Sequence, residues 1–221
     1  MAVSPGRFIT LEGGEGVGKS TQLRRLAEHL RGLGLEVVET REPGGTAGAE
    51  AIRALLLGGE ADRWNARAET LLFAAARSDH VKRVIRPALA AGAWVLCDRY
   101  VDSSRAYQAA ASGIADADVM AAHRIGSDGL MPDRTLLLTV PLNIAQERAA
   151  RRDGDETDRF AARGTAFHES VAAAFLRFAT EEPERFRVID SGANPEAVTA
   201  NIVSAVADLL PGTGCSAMKI G

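Results

Sequence analysis

The run Gly13-Gly14-Glu15-Gly16-Val17-Gly18-Lys19-Ser20, followed by Thr21, has the composition and spacing of a segment that grips phosphate. Glycines let successive backbone N–H groups converge on anionic oxygens, and a helix starting at the same point adds partial positive charge. Lys19 is spaced to reach the outer phosphates of a nucleoside triphosphate. The Ser20 hydroxyl suits Mg2+, with the Thr21 hydroxyl close by. The pattern predicts ATP as co-substrate with Mg2+, bound through Gly13 to Thr21. It is silent about what receives the phosphoryl group.

Other residues point to a small phosphorylated acceptor. Asp98-Arg99-Tyr100 follows an apolar run. An Asp there can hold Mg2+ through water, and an adjacent Arg can neutralise charge on a phosphoryl group in transit; a surface ion pair at a strand end is the plainer reading. Phe73 and Arg77 share one helix face. A ring can stack on a base while a guanidinium donates to a base carbonyl, although a core Phe beside an exposed Arg gives the same letters. The stretch carrying Arg148, Arg151, Arg152 and Asp153 to Arg159 mixes charges around Gly154. It reads as a mobile arginine-bearing lid or as a solvated face.

The elements that must position these groups alternate. Strand patterns over Phe8–Leu11, Glu36–Thr40, Trp94–Cys97, Thr135–Val140 and Phe186–Ile189 are separated by helical ones over Ala47–Leu57, Ala66–Ala91, Leu142 onward and Pro195–Leu210. Such alternation predicts right-handed crossovers and a parallel sheet covered by helices on both faces. Ligands then bind beyond the carboxyl ends of the strands, where the motifs above fall.

With 46% hydrophobic and 25% charged residues over 221 positions, the chain can bury a substantial core and is not disordered as a whole. A net charge of -3 provides no field for a nucleic-acid backbone, so nucleic acid is not an expected partner. Arginine greatly outnumbers lysine, a bias that GC-rich coding accounts for in bulk. Cys97 and Cys215 form neither a disulfide framework nor a metal spacing. Met1 to Thr10 lacks the form of a signal peptide, and no apolar run is long enough to span a membrane. The expectation is a cytoplasmic protein.

Gly13–Thr21, Thr40-Arg41-Glu42-Pro43-Gly44-Gly45-Thr46 and Leu96 to Gln108 together resemble bacterial thymidylate kinase, over a span from about Arg7 to Leu210. The resemblance implies a P-loop NTPase fold of the nucleoside monophosphate kinase type, with a lid at about 149–163, one domain over 1–210 and a tail at 211–221. It implies transfer of the γ-phosphate of ATP to dTMP, and a homodimer. It places Glu15 at the 3′-hydroxyl of dTMP, Arg53 and Arg99 on its phosphate, Phe73 against thymine and Arg77 at its O4. Ser104 and Gln108, within the run that begins at Ser103, become base contacts. Tyr107 lies against C2′ and Pro43 in the pocket wall. Ser20 and Asp98 become the metal-side residues. Family members carry a catalytic arginine either in the P-loop or in the lid. This P-loop has none, so Arg159 of Asp158-Arg159-Phe160 joins Lys19 and Arg99 as catalytic, with Arg152 a weaker candidate. Relatives often have a Glu where Ala161 stands here.

The alternatives are a P-loop kinase for another nucleotide or a deoxynucleoside, and a nucleotide-dependent switch. The Phe73/Arg77 pair weighs against the first. The absence of an Asn-Lys-x-Asp run weighs against a GTP-reading form of the second.

Overall fold

The computed structural model describes residues 6–60, 62–153, 160 and 163–211. Strands β1 (Phe8–Glu12), β2 (Val37–Arg41), β3 (Trp94–Asp98), β4 (Arg134–Thr139) and β5 (Phe186–Asp190) form a sheet in the order β2-β3-β1-β4-β5. Every pairing is parallel. β1 lies at the centre and is buried along its whole length, which explains its near-continuous apolar run. Its one mid-strand polar side chain, Thr10, meets the Thr135 hydroxyl at 3.0 Å. The register sets Leu11 opposite both Asp98 and Leu136, so the strands end together at one edge.

Helices cover both faces, as the alternation predicts. α1 (Lys19–Gly32) lays Leu23, Leu26 and Leu30 on the sheet, beside Val198, Ile202 and Val206 of the C-terminal helix Pro195–Val206. On the other face Phe8, Val81, Ile85, Val95 and Tyr100 form one cluster, and Leu137, Phe175, Phe178 and Phe186 contribute to a second. Truncating a fully buried leucine such as Leu26 in such a core costs roughly 2–5 kcal/mol.

α2 (Ala47–Leu57) starts at Thr46, whose hydroxyl accepts from Ala49 N at 3.0 Å, and α3 (Ala66–His80) starts at Asn65, whose side chain caps Ala68 N at 2.9 Å. The long helix expected over Ala66–Ala91 is interrupted by a wider π turn at Val81–Ile85 before α4 (Arg86–Ala90). Pro87 explains this, because it lacks an N–H and its ring crowds the carbonyl four residues back. A second π turn, Arg105–Ala110, follows the short α5 (Val101–Ser104) and turns Tyr107 and Gln108 into the interior. α6 is Asp116–Ser127 and α7 is Leu142–Asp153.

Asp102, inside the segment that carries much of the resemblance, is a structural residue. It is fully buried and accepts from Arg185 Nη1 at 2.6 Å and from Arg105 Nη1 at 3.2 Å. This clamp ties α5 to the start of β5 and fixes where the residues after β3 stand.

Candidate functional site

Beyond the carboxyl ends of β1, β2 and β3 lies a cavity of about 370 Å³, the size of a small-molecule site. One of its walls is the loop between β1 and α1. Gly13 is there for a specific reason: its φ is 130°, and a Cβ would stand 2.3 Å from Leu138 O. Gly18 caps α1 in a left-handed conformation without any side-chain hydrogen bond, and the first turn carries no acidic residue. The positive end of a helix of 14 residues therefore faces the loop with no carboxylate of its own first turn to offset it.

Lys19 is only 7% exposed, and its Nζ folds back to donate to Gly14 O at 2.7 Å and Gly13 O at 3.3 Å. Burial, reinforced by the nearby Arg99 guanidinium, holds its pKa down to about 8. Ser20 Oγ donates to Asp98 Oδ2 at 2.6 Å, so hydroxyl and carboxylate oxygens stand side by side next to the phosphate cradle. Val17 turns its side chain into the core, so only its backbone can serve a ligand. Thr21 is exposed on α1 and does not line the cavity.

Arg99 adopts φ 68°, which costs a non-glycine residue of order 1–3 kcal/mol. Its guanidinium donates to Glu15 Oε1 at 2.6 Å, Gly13 O at 3.0 Å and Ser103 Oγ at 3.2 Å, and lies 5.2 Å from the Tyr107 ring centre. Arg99 pairs with Glu15 across the site, so the pairing expected of a surface arginine next to Asp98 is not what is found. Below it, buried Glu12 accepts from Tyr100 N at 2.7 Å and Ser103 Oγ at 2.6 Å. Burial, and then the charge of Asp102, pushes the Glu12 carboxyl up to about 8.

The far wall combines aromatic rings with buried polar side chains. Phe73 is half-buried and tilts against Phe160 with ring centres 5.8 Å apart. Arg77 is 2% exposed, so it is no surface arginine. It donates through Nε to Glu42 Oε2 at 2.8 Å and through Nη2 to Ser104 Oγ at 2.9 Å. Arg53 Nη1 donates to Pro43 O at 2.7 Å. Tyr107 and Gln108 complete this side, both buried. The cavity thus gathers Glu15, Lys19, Ser20, Pro43, Arg53 and Phe73, and with them Arg77, Asp98, Arg99, Ser103, Ser104, Tyr107 and Gln108. Arg159 lies outside the described residues, as does the side chain of Arg152.

Sequence reasoning assigned no role to Glu42, His80 or Glu12. Glu42 is buried between Arg77 and His80, whose Nδ1 is 3.1 Å from Glu42 Oε1 and whose Nε2 is 2.6 Å from Thr40 Oγ1. Its place beside Pro43 in the Thr40–Thr46 segment was the available signal. Glu12 offered none, because an acidic residue ending a buried strand looks like its solvated tip.

The chain is similar over nearly its whole length to proteins of one kind. A family model described as "Thymidylate kinase" matches residues 11–202. A thymidylate kinase of Rhizorhabdus wittichii is 61% identical over 207 residues, covering 94% of this chain and 100% of the relative. That of Caulobacter vibrioides is 52% identical over 211 residues, covering 94% and 99%. Among solved structures, thymidylate kinase from Ehrlichia chaffeensis superposes with a TM-score of 0.75 at 30% identity, covering 91% of this chain and 100% of that one.

The Lys19 environment sets a pH dependence. With the ammonium titrating near 8, a bound triphosphate favours the charged form, so binding above that pH must take up a proton. The dissociation constant for a non-hydrolysable ATP analogue is expected to be nearly flat around pH 7, to about double by pH 8 and then to rise by up to about tenfold per unit toward pH 9.5. Calorimetric titration in buffers of different ionisation enthalpy measures both terms; a flat constant with no proton uptake would contradict the reading.

Proposed function

The chain belongs to the thymidylate kinase family, and on that premise we propose how its residues divide the work of phosphorylating dTMP to dTDP with ATP as co-substrate. The observation that carries the reading is the single cavity in which Lys19 and Ser20 of the phosphate loop face Phe73, Arg77 and Gln108. A donor cradle and a base-sized slot open on one volume.

ATP lies along the Gly13–Thr21 loop, its phosphates on backbone amides and on Lys19 once that side chain leaves the loop carbonyls. The acceptor phosphate lies between Arg99 and Arg53; its oxygen attacks the γ-phosphorus in line as the bond from that phosphorus to the β,γ-bridging oxygen breaks and ADP leaves. No general base is needed, because a nucleotide phosphate is already ionised near neutral pH. The chain's cationic groups serve by position and electrostatics. The adjacent Ser20 and Asp98 oxygens fit Mg2+, a hard ion that keeps several waters and takes few protein ligands. Bound there, the ion would neutralise phosphate charge. Arg159 of a lid at about 149–163 supplies the remaining cation at the transferring group, since the phosphate loop carries no arginine.

Selectivity follows from donor and acceptor chemistry. Arg77, fixed by Glu42 and Ser104, can donate to thymine O4 but meets a like donor in the amine of cytosine. The 5-methyl group needs only apolar space and discriminates weakly. Tyr107 stands against the sugar, and Glu15 at its 3′-hydroxyl.

The same reading includes a homodimer. Leu71 on α3 and Ile125 on α6 are 65% and 88% exposed, and these two helices pack side by side. Exposed apolar side chains on neighbouring helices suit a two-fold contact with a second copy. It also includes a cytoplasmic setting, consistent with the free, buried thiol of Cys97. No helix among the described residues is long and apolar enough to cross a membrane.

A coupled ADP-release assay with dTMP, dUMP, dCMP, AMP and no acceptor tests the activity. The expected order is dTMP, then dUMP, then dCMP at least about a hundredfold lower in kcat/KM; comparable dCMP turnover, or ADP release without acceptor, would sink the assignment. Arg159→Ala should lower kcat by roughly 10³, and near-normal kcat would remove that residue from the mechanism. Sedimentation equilibrium should give the mass of two chains, a value that Ile125→Asp halves; a native monomer would refute the dimer.

A further inference from the structure

Gln108 is wholly buried and lines the cavity. Its Nε2 donates to Glu69 Oε2 at 3.3 Å, while its Oε1 is buried and has no hydrogen-bond partner among the described residues. Shape alone does not say which end of an amide faces which neighbour, but chemistry does. A carboxylate only accepts, so Glu69 must receive the NH2 group. The other Glu69 oxygen accepts from Arg163 Nη2 at 2.6 Å. Arg163 is itself held by Ser112 Oγ at 3.1 Å and lies over the Phe160 and Phe167 rings at 4.8 and 4.6 Å. The series Arg163, Glu69, Gln108 therefore runs in one direction, from a group that can only donate to a carbonyl oxygen at the cavity wall. A buried acceptor left unmatched is costly, and a ligand donor is what would match it.

We propose that Glu69, which is itself outside the cavity lining, is a positioning residue: it locks the Gln108 amide so that Oε1 meets the acceptor base and selects a pyrimidine that carries a hydrogen at N3. Thymine and uracil carry that hydrogen, whereas cytosine presents a lone pair. The inference rests on the reading of the cavity as the base site. It complements Arg77: one residue reads the exocyclic position and the other the ring nitrogen beside it, with opposite donor polarity.

The test is the ratio of kcat/KM values in Glu69→Gln. The new amide keeps an oxygen for Arg163 and turns its NH2 toward Gln108. Gln108 must then reverse and offer a donor to the base. The dTMP-to-dCMP ratio should narrow by about tenfold or more, chiefly through a higher KM for dTMP, with the dTMP-to-dUMP ratio unchanged. The exchange Glu69→Gln with Gln108→Glu restores an acceptor at the wall and should restore the dTMP preference. Equal loss on all acceptors, with the ratio intact, would mean a merely structural residue and overturns the proposal. If the single variant does not fold, the exchange, which keeps volume and charge, decides alone: retained preference supports the proposal and a lost preference refutes it. A wild-type enzyme that turns over dCMP as well as dTMP would instead refute the base-site reading itself.

Discussion

The site depends on where Arg99 is held. Its guanidinium spans from the Gly13 carbonyl and the Glu15 carboxylate on the loop after β1 to Ser103 after β3, so one side chain ties these two walls of the cavity together. The backbone accepts an unfavourable φ to do this, and the surroundings over-determine it. Arg99 N donates to Leu11 O at 3.0 Å, and Glu12 anchors the neighbouring Tyr100 amide and Ser103 hydroxyl from below. The result is a positive charge fixed in place on the cavity wall; under the proposed function, phosphate would meet it with little reorganisation.

Arg77 shows the same residue type used differently. Arg99 is balanced by a partner at the rim, with Glu15 22% exposed, whereas Arg77 and Glu42 are both nearly fully buried. Desolvating such a pair is expensive, and leaving either partner alone is worse, at about 3–5 kcal/mol. With Glu42 and Ser104 engaging its Nε and Nη2, Arg77 acts through hydrogen-bond geometry more than through net charge. In the proposed division of work one arginine would meet phosphate charge and the other the base, and what distinguishes the two is their partners.

Much of this was legible in the letters. The Gly13–Ser20 run and the apolar strand patterns carry strong local rules, and the sheet formed with element bounds within a residue or two of those expected. Phe73 and Arg77 were legible as a pair because helical spacing places them together. The burial of Arg77 was not, since its partner Glu42 arrives from a loop over thirty positions away. Glu69 and Glu12 were invisible for the same reason: a carboxylate becomes a site residue only when a fold removes its water. Asp102 shows the converse, because it sits in the most telling segment yet serves as a clamp for Arg105 and Arg185. The π turn at Val81–Ile85 was readable in principle from Pro87, and the one at Arg105–Ala110 carries no such mark.

The decisive measurement is a crystal structure with dTMP bound. The dTMP phosphate should lie within hydrogen-bond distance of both Arg99 and Arg53, with the thymine ring against Phe73 and the Arg99 backbone unchanged. A structure in which Arg99 keeps its contact with Glu15 while the phosphate binds elsewhere would contradict that placement.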